Sequence, residues 1–399
     1  MYSRQHVRLA APVTSWLVGL AIAAGSCAKR PAQPPNPADW LVYVGTNVAS
    51  ETENTVFLYR LSAATGALTR VGAVPAGPSP TYLTLSAKHD RLYAVNETQT
   101  FNGQNSGSVS AFAVEPRTGS LTRLGARQPS GGASPCYLSL APTGRAALVA
   151  NYMGGNVSLL PVLADGSLAA PAATAVHQGR GPHPNQTAPH AHCIIPDPTG
   201  KLAFAVDLGA DQIIGYELDA AKSRLTQRPE PAFRARPGAG PRHLVFHPEG
   251  RLAYLLNELN STVTALAYDA AAGRFRELQT LPTLPAGYAE KNSGADLHVS
   301  PDGRFLYTSN RGHNSIAVFA IDALRGTLTP VQHVPTQGQT PRNFSLDPAG
   351  RLLLVANQSS GSLVSFRVDG QTGRLTATGH TAEVPAPMVV QMVADFTGR

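Results

Sequence analysis

The sequence predicts an all-β chain, a seven-bladed β-propeller closed by pairing its N- and C-terminal strands in one blade. Three observations carry that expectation. First, one pattern recurs: an apolar strand, a Pro-x-Gly-basic turn, a second apolar strand ending in Asn or Asp, and two further strands. The turn stands at Pro142-Thr-Gly-Arg145, Pro198-Thr-Gly-Lys201, Pro248-Glu-Gly-Arg251, Pro301-Asp-Gly-Arg304 and Pro348-Ala-Gly-Arg351, roughly fifty residues apart, the length of a four-stranded blade. Second, 37 Gly and 33 Pro with only 14% charged residues suit a turn-rich β fold, and beyond the N-terminal region no long 3.6-residue periodicity appears. Third, the two ends of the chain are complementary halves of one repeat.

The N-terminus stands apart from the repeat. Arg4 and Arg8 precede an apolar stretch, 9–24, and then Gly25-Ser-Cys27. A basic region, an apolar region and a small-residue cleavage site make residues 1–27 an expected export signal. Pro12, Thr14 and Ser15 interrupt the stretch, which disfavours a stable membrane span. Ala24-Gly-Ser-Cys27 resembles a bacterial lipobox, so Cys27 is a candidate lipid anchor. The chain is expected to be exported, either periplasmic or a membrane-anchored lipoprotein. Residues 28–39, with Pro31, Pro34, Pro35 and Pro37, read as a tether, and 40–399 as one propeller domain, expected to be a monomer.

Let A and B be the strands before and after the Pro-x-Gly turn, and C and D the two that follow. Segments 41–47, 55–61 and 68–71 match B, C and D, so the first unit lacks an A strand. Later B strands fall at 91–96, 145–151, 201–207, 251–257, 304–310 and 351–357. The chain ends with an A-like segment, 388–393, and the start of a turn at Phe396. Pairing the two ends completes a blade and hides open sheet edges. Glycines such as Gly66, Gly119, Gly326 and Gly373 fit tight C–D turns. The asparagines closing the B strands, Asn47, Asn96, Asn151, Asn257, Asn310 and Asn357, are too regular for chemistry and suit turns. Cys136 and Cys193 lie six and five residues before their turn prolines, hence on opposite strand faces, and are expected to be unpaired buried thiols. The net charge of +7 is scattered, without a basic run or interleaved aromatics, so no nucleic-acid partner is expected.

In a propeller the A strands line the central channel, and the start of A and end of B open on one face. Six residues before the turn proline the units carry Cys136, His192, Arg242, Ala295 and Arg342, with Val390 in the last. After the B-terminal residue they carry Val48, Glu97, Tyr152, Leu208, Glu258, Arg311 and Gln358. His192, Arg242 with Glu258, Arg311 near Asp296, and Arg342 thus fall in consecutive blades. Charges placed in a channel are costly unless paired. They mark either a site or a network of ion pairs between blades. His177, Arg180, His183, His190 and His192 also belong to a long Pro/Gly-rich loop and the strand it enters, and long loops on rigid scaffolds commonly carry binding groups. His190-x-His192 has strand spacing for one metal ion. The surrounding arginines oppose a cation, so neither metal nor cofactor is expected.

With these residues in view, the chain resembles the β-propeller lactonase family, which includes 6-phosphogluconolactonases and fungal carboxymuconate cycloisomerases. The resemblance spans residue 41 to the C-terminus. It is carried by Tyr43-Val-Gly-Thr46, Tyr93-Ala-Val-Asn-Glu97, Pro189-His-Ala-His192, Asp207-Leu-Gly-Ala-Asp211, Pro241-Arg-His243, Asn257-Glu258 and Ser309-Asn-Arg-Gly312. It implies a catalytic set of His192, Arg242, Arg311 and Glu258, the residues singled out by the repeat. His190, Glu97, Asp296, Arg342 and Gln186 are candidate substrate-binding residues. Where the family commonly has Arg-Gln, this chain has Asn185-Gln186, which argues against carrying over a phosphate-bearing substrate.

The expected chemistry is hydrolysis of a small-molecule lactone. Glu258 or His192 would take a proton from water, and the arginines would hold the carbonyl oxygen and any anionic group. Two alternatives remain at this stage: a non-catalytic propeller whose channel binds a ligand or protein, and a lactonising cycloisomerase using the same His and Glu.

Overall fold

The computed structural model describes residues 39–396. The expected export signal, Cys27 and most of the tether, like the chain end at 397–399, lie outside the described residues. Thirty strands form seven antiparallel sheets in a β-propeller, with no helix among the described residues. Trp40–Thr46 pairs with Pro387–Ala394, from Trp40↔Ala394 to Gly45↔Val389, so the two ends share one blade as expected. Numbering that blade 1, the inner strands of blades 2 to 7 are Tyr82–Leu85, Pro135–Leu140, Ala191–Pro196, Pro241–Phe246, Ser293–Val299 and Pro341–Leu346.

The core lies between blades. Each of seven apolar clusters is shared by two neighbouring sheets. Leu252–Asn257 shows how alternation produces this: Ala253 and Leu255 pack toward blade 4, while Tyr254 and Leu256 pack toward blade 6. Such strands must be apolar on both faces, which is why the B strands read as continuous hydrophobic runs.

Small polar devices lock the ring. The repeated turn glycines Gly144, Gly200, Gly250, Gly303 and Gly350 have φ of 66° to 76°, a region that disfavours a Cβ. The C–D turn glycines have a second role. Tyr43, Tyr93, Tyr254 and Tyr307 donate from their hydroxyls to the carbonyls of Gly119, Gly166, Gly326 and Gly373 in the next blade. Asn96, Asn151, Asn310 and Asn357 act as clamps rather than turn formers. Each donates from Nδ2 to a carbonyl of the segment linking one blade to the next. Thr46, not Asn47, occupies this place in blade 1, three residues after Tyr43 as Asn96 follows Tyr93. Cys136 and Cys193 are both free and buried.

Candidate functional site

The side chains that reach the channel mouth are aimed there by β-bulges. In the inner strands of blades 3, 4, 5 and 7, the register skips one residue opposite the partner strand, and those residues are Cys136, His192, Arg242 and Arg342. A bulge adds an unpaired residue and re-aims it without ending the strand. Blade 6 has the same irregularity across Ala295 and Asp296. In blade 1 the skipped residue is Met388, which lines the central pocket. Val390, expected to face the channel, is instead buried in the core between blades 7 and 1. The closing strand has two more residues before Phe396 than its counterparts have before their proline, so counting back from the turn lands two places too far along.

At the mouth, Glu258 stands between two guanidiniums. Arg242 Nε is 2.9 Å and Arg311 Nη2 3.0 Å from Glu258 Oε2. The Arg242 contact is one of charge, since Nε–H of each arginine finds no hydrogen-bond acceptor among the described residues. The Glu258 side chain is 18% exposed and that of Arg242 3%. Burial alone would raise the Glu258 carboxyl, but Arg311, Arg242 and Arg342 together outweigh it and hold it below the usual range. His192 is buried beside this group. Burial first, then Arg242, His243 and Arg342, keep its imidazole well below its ordinary pKa and so neutral. Its Nδ1 lies 3.7 Å from Cys136 Sγ. Burial, and secondarily Glu97, push that thiol well up, so it stays protonated and a poor nucleophile. No local pattern signals this Cys–His proximity, because it joins two blades.

One residue further along the inner strands lies a second ring, which the repeat comparison passed over. It contains Tyr82, Tyr137, His243, Asp296 and Asn343. His243 Nδ1 is 2.8 Å from Asp296 Oδ1, and His298 Nε2 is 2.9 Å from Asp296 Oδ2. Asn343 Nδ2 also donates to Oδ2, at 2.5 Å, while its Oδ1 accepts from the backbone of Val390. On the other side of His243, Arg242 Nη1 lies 3.1 Å from Nε2. A carboxylate only accepts and a guanidinium only donates. His243 must therefore be neutral, with its proton on Nδ1 and a bare Nε2. Burial, followed by Arg242, agrees: the imidazole is lowered to about 4 despite Asp296. Tyr137 packs on Tyr82 at 4.2 Å and on His243 at 5.2 Å. The signal was present in sequence, at the same count moved by one residue.

The remaining expected residues separate into three groups. Glu97 and Arg342 line the central pocket with Arg242, His243 and Met388. Glu97 accepts from Thr81 at 2.6 Å, whereas Arg342 makes no hydrogen bond or ion pair among the described residues. The pocket's free volume is about 10 Å³, room for roughly one water, so a sugar-sized ligand would sit above it at the mouth. His190 is at the rim, its ring stacked on Tyr152 at 4.4 Å and 11°. His192 meets the same Tyr152 ring edge-on at 5.5 Å, and no group of residues suited to a metal occurs among the described residues.

Asp296 and Gln186 are not ligand-facing. Asp296 is saturated by the donors just named. Gln186 is fully buried, its Nε2 donating to Leu208 O at 2.7 Å and Asp211 Oδ1 at 2.8 Å. It fixes the loop 177–190 from within. Asp207 does the same, accepting from His177 Nδ1 at 2.6 Å and from the backbone of His190 at 2.9 Å. Gly209 completes the fit: a Cβ there would lie 1.9 Å from the carbonyl oxygen of Ala188. The Asp207-Leu-Gly-Ala-Asp211 motif is thus a seat for the loop that delivers His190 and His192.

Comparison with known proteins agrees with this architecture. The family model described as lactonase, 7-bladed beta-propeller, matches residues 41–392. The chain belongs to the seven-bladed β-propeller lactonase family. Among its relatives, the 6-phosphogluconolactonase of Bacillus subtilis is 38% identical over 308 residues, 77% of this chain and 85% of that protein. A 6-phosphogluconolactonase of Formosa agariphila is 33% identical over 77% of this chain and 86% of its own length. Among solved structures, the periplasmic gluconolactonase of Pseudomonas aeruginosa superposes with a TM-score of 0.84 at 35% identity, covering 90% of this chain and 100% of that one.

Proposed function

We propose that the channel mouth hydrolyses the ring ester of a sugar lactone, with Glu258, Arg242, Arg311 and His192 as the reacting set. The observation that carries this is a carboxylate held ionised by two guanidiniums at the open end of the channel, in a chain of the lactonase family. Both guanidiniums approach Oε2 most closely. Oε1 is then the oxygen that orients water and accepts its proton as the water oxygen attacks the lactone carbonyl carbon. Arg311 and Arg242 stabilise the oxyanion of the tetrahedral intermediate. Its collapse breaks the bond to the ring oxygen, which takes back the proton held on Glu258 and leaves as a hydroxyl, giving the open hydroxy acid and the free carboxylate of Glu258. His192, neutral and adjacent, is the alternative acceptor for the water proton. Arg342, which lines the pocket without a partner among the described residues, faces the product carboxylate or another polar substituent.

The substrate in this reading is an unphosphorylated aldonolactone met outside the cytoplasm. Two features support it: the export-signal sequence before the propeller, and the placement of Gln186 inside its loop rather than at the mouth. The test is a panel of gluconolactones with and without phosphate, assayed by acid release at constant pH on protein lacking residues 1–27. Acceleration of δ-gluconolactone opening over the spontaneous rate is expected. No acceleration with any lactone removes the enzymatic reading and leaves a binding propeller.

A further inference from the structure

Resting on that reading, we infer that His243 and Asp296 are positioning residues that set where the Arg242 guanidinium points. Arg242 is buried at a bulge, where its backbone offers little constraint on a long side chain, yet its head group must face both Glu258 and the developing oxyanion. Three contacts define its pose: Glu258 at Nε, and His243 Nε2 and the carbonyl of Ala295 at Nη1. The His243 contact is of the right sign only while Nε2 is bare. Asp296 enforces that by claiming the Nδ1 proton, and its own carboxylate is fixed by His298 and Asn343.

The chain of contacts therefore runs from blade 7 through blade 6 into blade 5 and ends on the arginine. Replacing Asp296 by an amide removes the obligation on Nδ1. The tautomer with Nε2–H then becomes accessible, placing a donor against a donor and turning the guanidinium away. Asp296 is buried, and His243 lines a pocket with room for only about one water, so the effect belongs in kcat rather than in ground-state binding.

Two substitutions separate positioning from packing. In His243→Gln the side-chain amide sits where Nε2 was and its carbonyl can accept from Arg242. In His243→Asn the amide sits where Nδ1 was and serves only Asp296. The measurement is kcat and KM for δ-gluconolactone, with thermal melts of each protein. The expected result is that His243→Gln stays within about tenfold of wild type while His243→Asn loses about a hundredfold or more in kcat with KM little changed. Equal losses, or better activity in His243→Asn, overturn the proposal. If neither variant folds, Asp296→Asn with ¹⁵N-labelled histidine decides. A His243 spectrum still showing Nδ1–H alone rejects it, and a shift toward Nε2–H supports it. If the wild-type protein opens no lactone, it is the hydrolase reading that fails, whereas the tautomer measurement still reports on the Asp296–His243 relation.

Discussion

The two rings of the channel have the same blade geometry and opposite characters. The bulged residues, among them His192, Arg242 and Arg342, end at or near the mouth, with Arg342 unpaired among the described residues and Glu258 partly exposed beside Arg242. One residue along, Tyr82, Tyr137, His243, Asp296 and Asn343 form a plug, half-buried at the two tyrosines and buried at the other three, in which Asp296 meets three side-chain donors. Both arginines come closest to one oxygen of Glu258, whereas both oxygens of Asp296, 4% exposed, are engaged by donors. The difference shows that in this fold a carboxylate's environment depends on its place along the blade: Glu258, just past the end of its strand, stays partly exposed, whereas Asp296, on an inner strand, is enclosed by donors from three blades.

Substitutions in the first ring and its Glu258 partner should cost chemistry. Glu258→Gln is expected to lower kcat by about 10²–10⁴, and Arg242→Ala by about 10²–10³ as an oxyanion donor is lost, read by acid release from δ-gluconolactone. Wild-type rates in both would erase the distinction between the rings. In the second ring, Tyr137→Ala should show mainly as instability of about 2–3 kcal/mol in urea unfolding, since it removes a half-buried ring packed on Tyr82 and His243. A Tyr137→Ala protein of unchanged stability would mean that the plug is not structural.

Acid should act on both rings with one sign. His192 and His243 are buried neutral, so the unfolded chain takes up their protons below about pH 6.5 while the folded chain does not until the pH is lower, near 4 for His243. Their contribution is fully present above pH 6.5 and falls on acidification. The urea-unfolding free energy should drop by about 2 kcal/mol or more between pH 7 and pH 5, while kcat/KM stays level from pH 8 to 6.5 because His192 remains unprotonated. A stability that rises toward pH 5 would contradict the burial of both rings.

Gly209→Ala should lower kcat/KM by about tenfold, because the loop seated on it must lift and carry His190 and His192 with it. The smallest effect is expected at Cys136→Ala. The thiol is protonated and small, so stability should change by about 1 kcal/mol and activity should persist. Complete inactivation would instead assign Cys136 a covalent role.

Much of the ring was legible from the chain alone. The fifty-residue spacing, the Pro-x-Gly turns and the complementary ends implied seven blades and their closure, since each is a local pattern with one geometric solution. The same counting singled out His192, Arg242, Glu258, Arg311 and Arg342, which the fold brings close together. It placed Val390 where Met388 stands, because the closing strand has a different length before its turn. The expectation that Gln186 and Asp296 bind substrate did not see that both are buried and already hydrogen-bonded, because residue type reveals a capacity for hydrogen bonding but not which partners already fill it.

Sequence therefore determined the modules, their order and the clustering of charge, all of which follow from periodicity and side-chain type along a strand. Tertiary structure alone decided which of two adjacent residues faces the mouth, that Cys136 meets His192, and that His243 carries its proton on Nδ1. Those outcomes depend on β-bulges and on contacts between blades some fifty residues apart, where the free energy of a polar group is set by neighbours that no local pattern names.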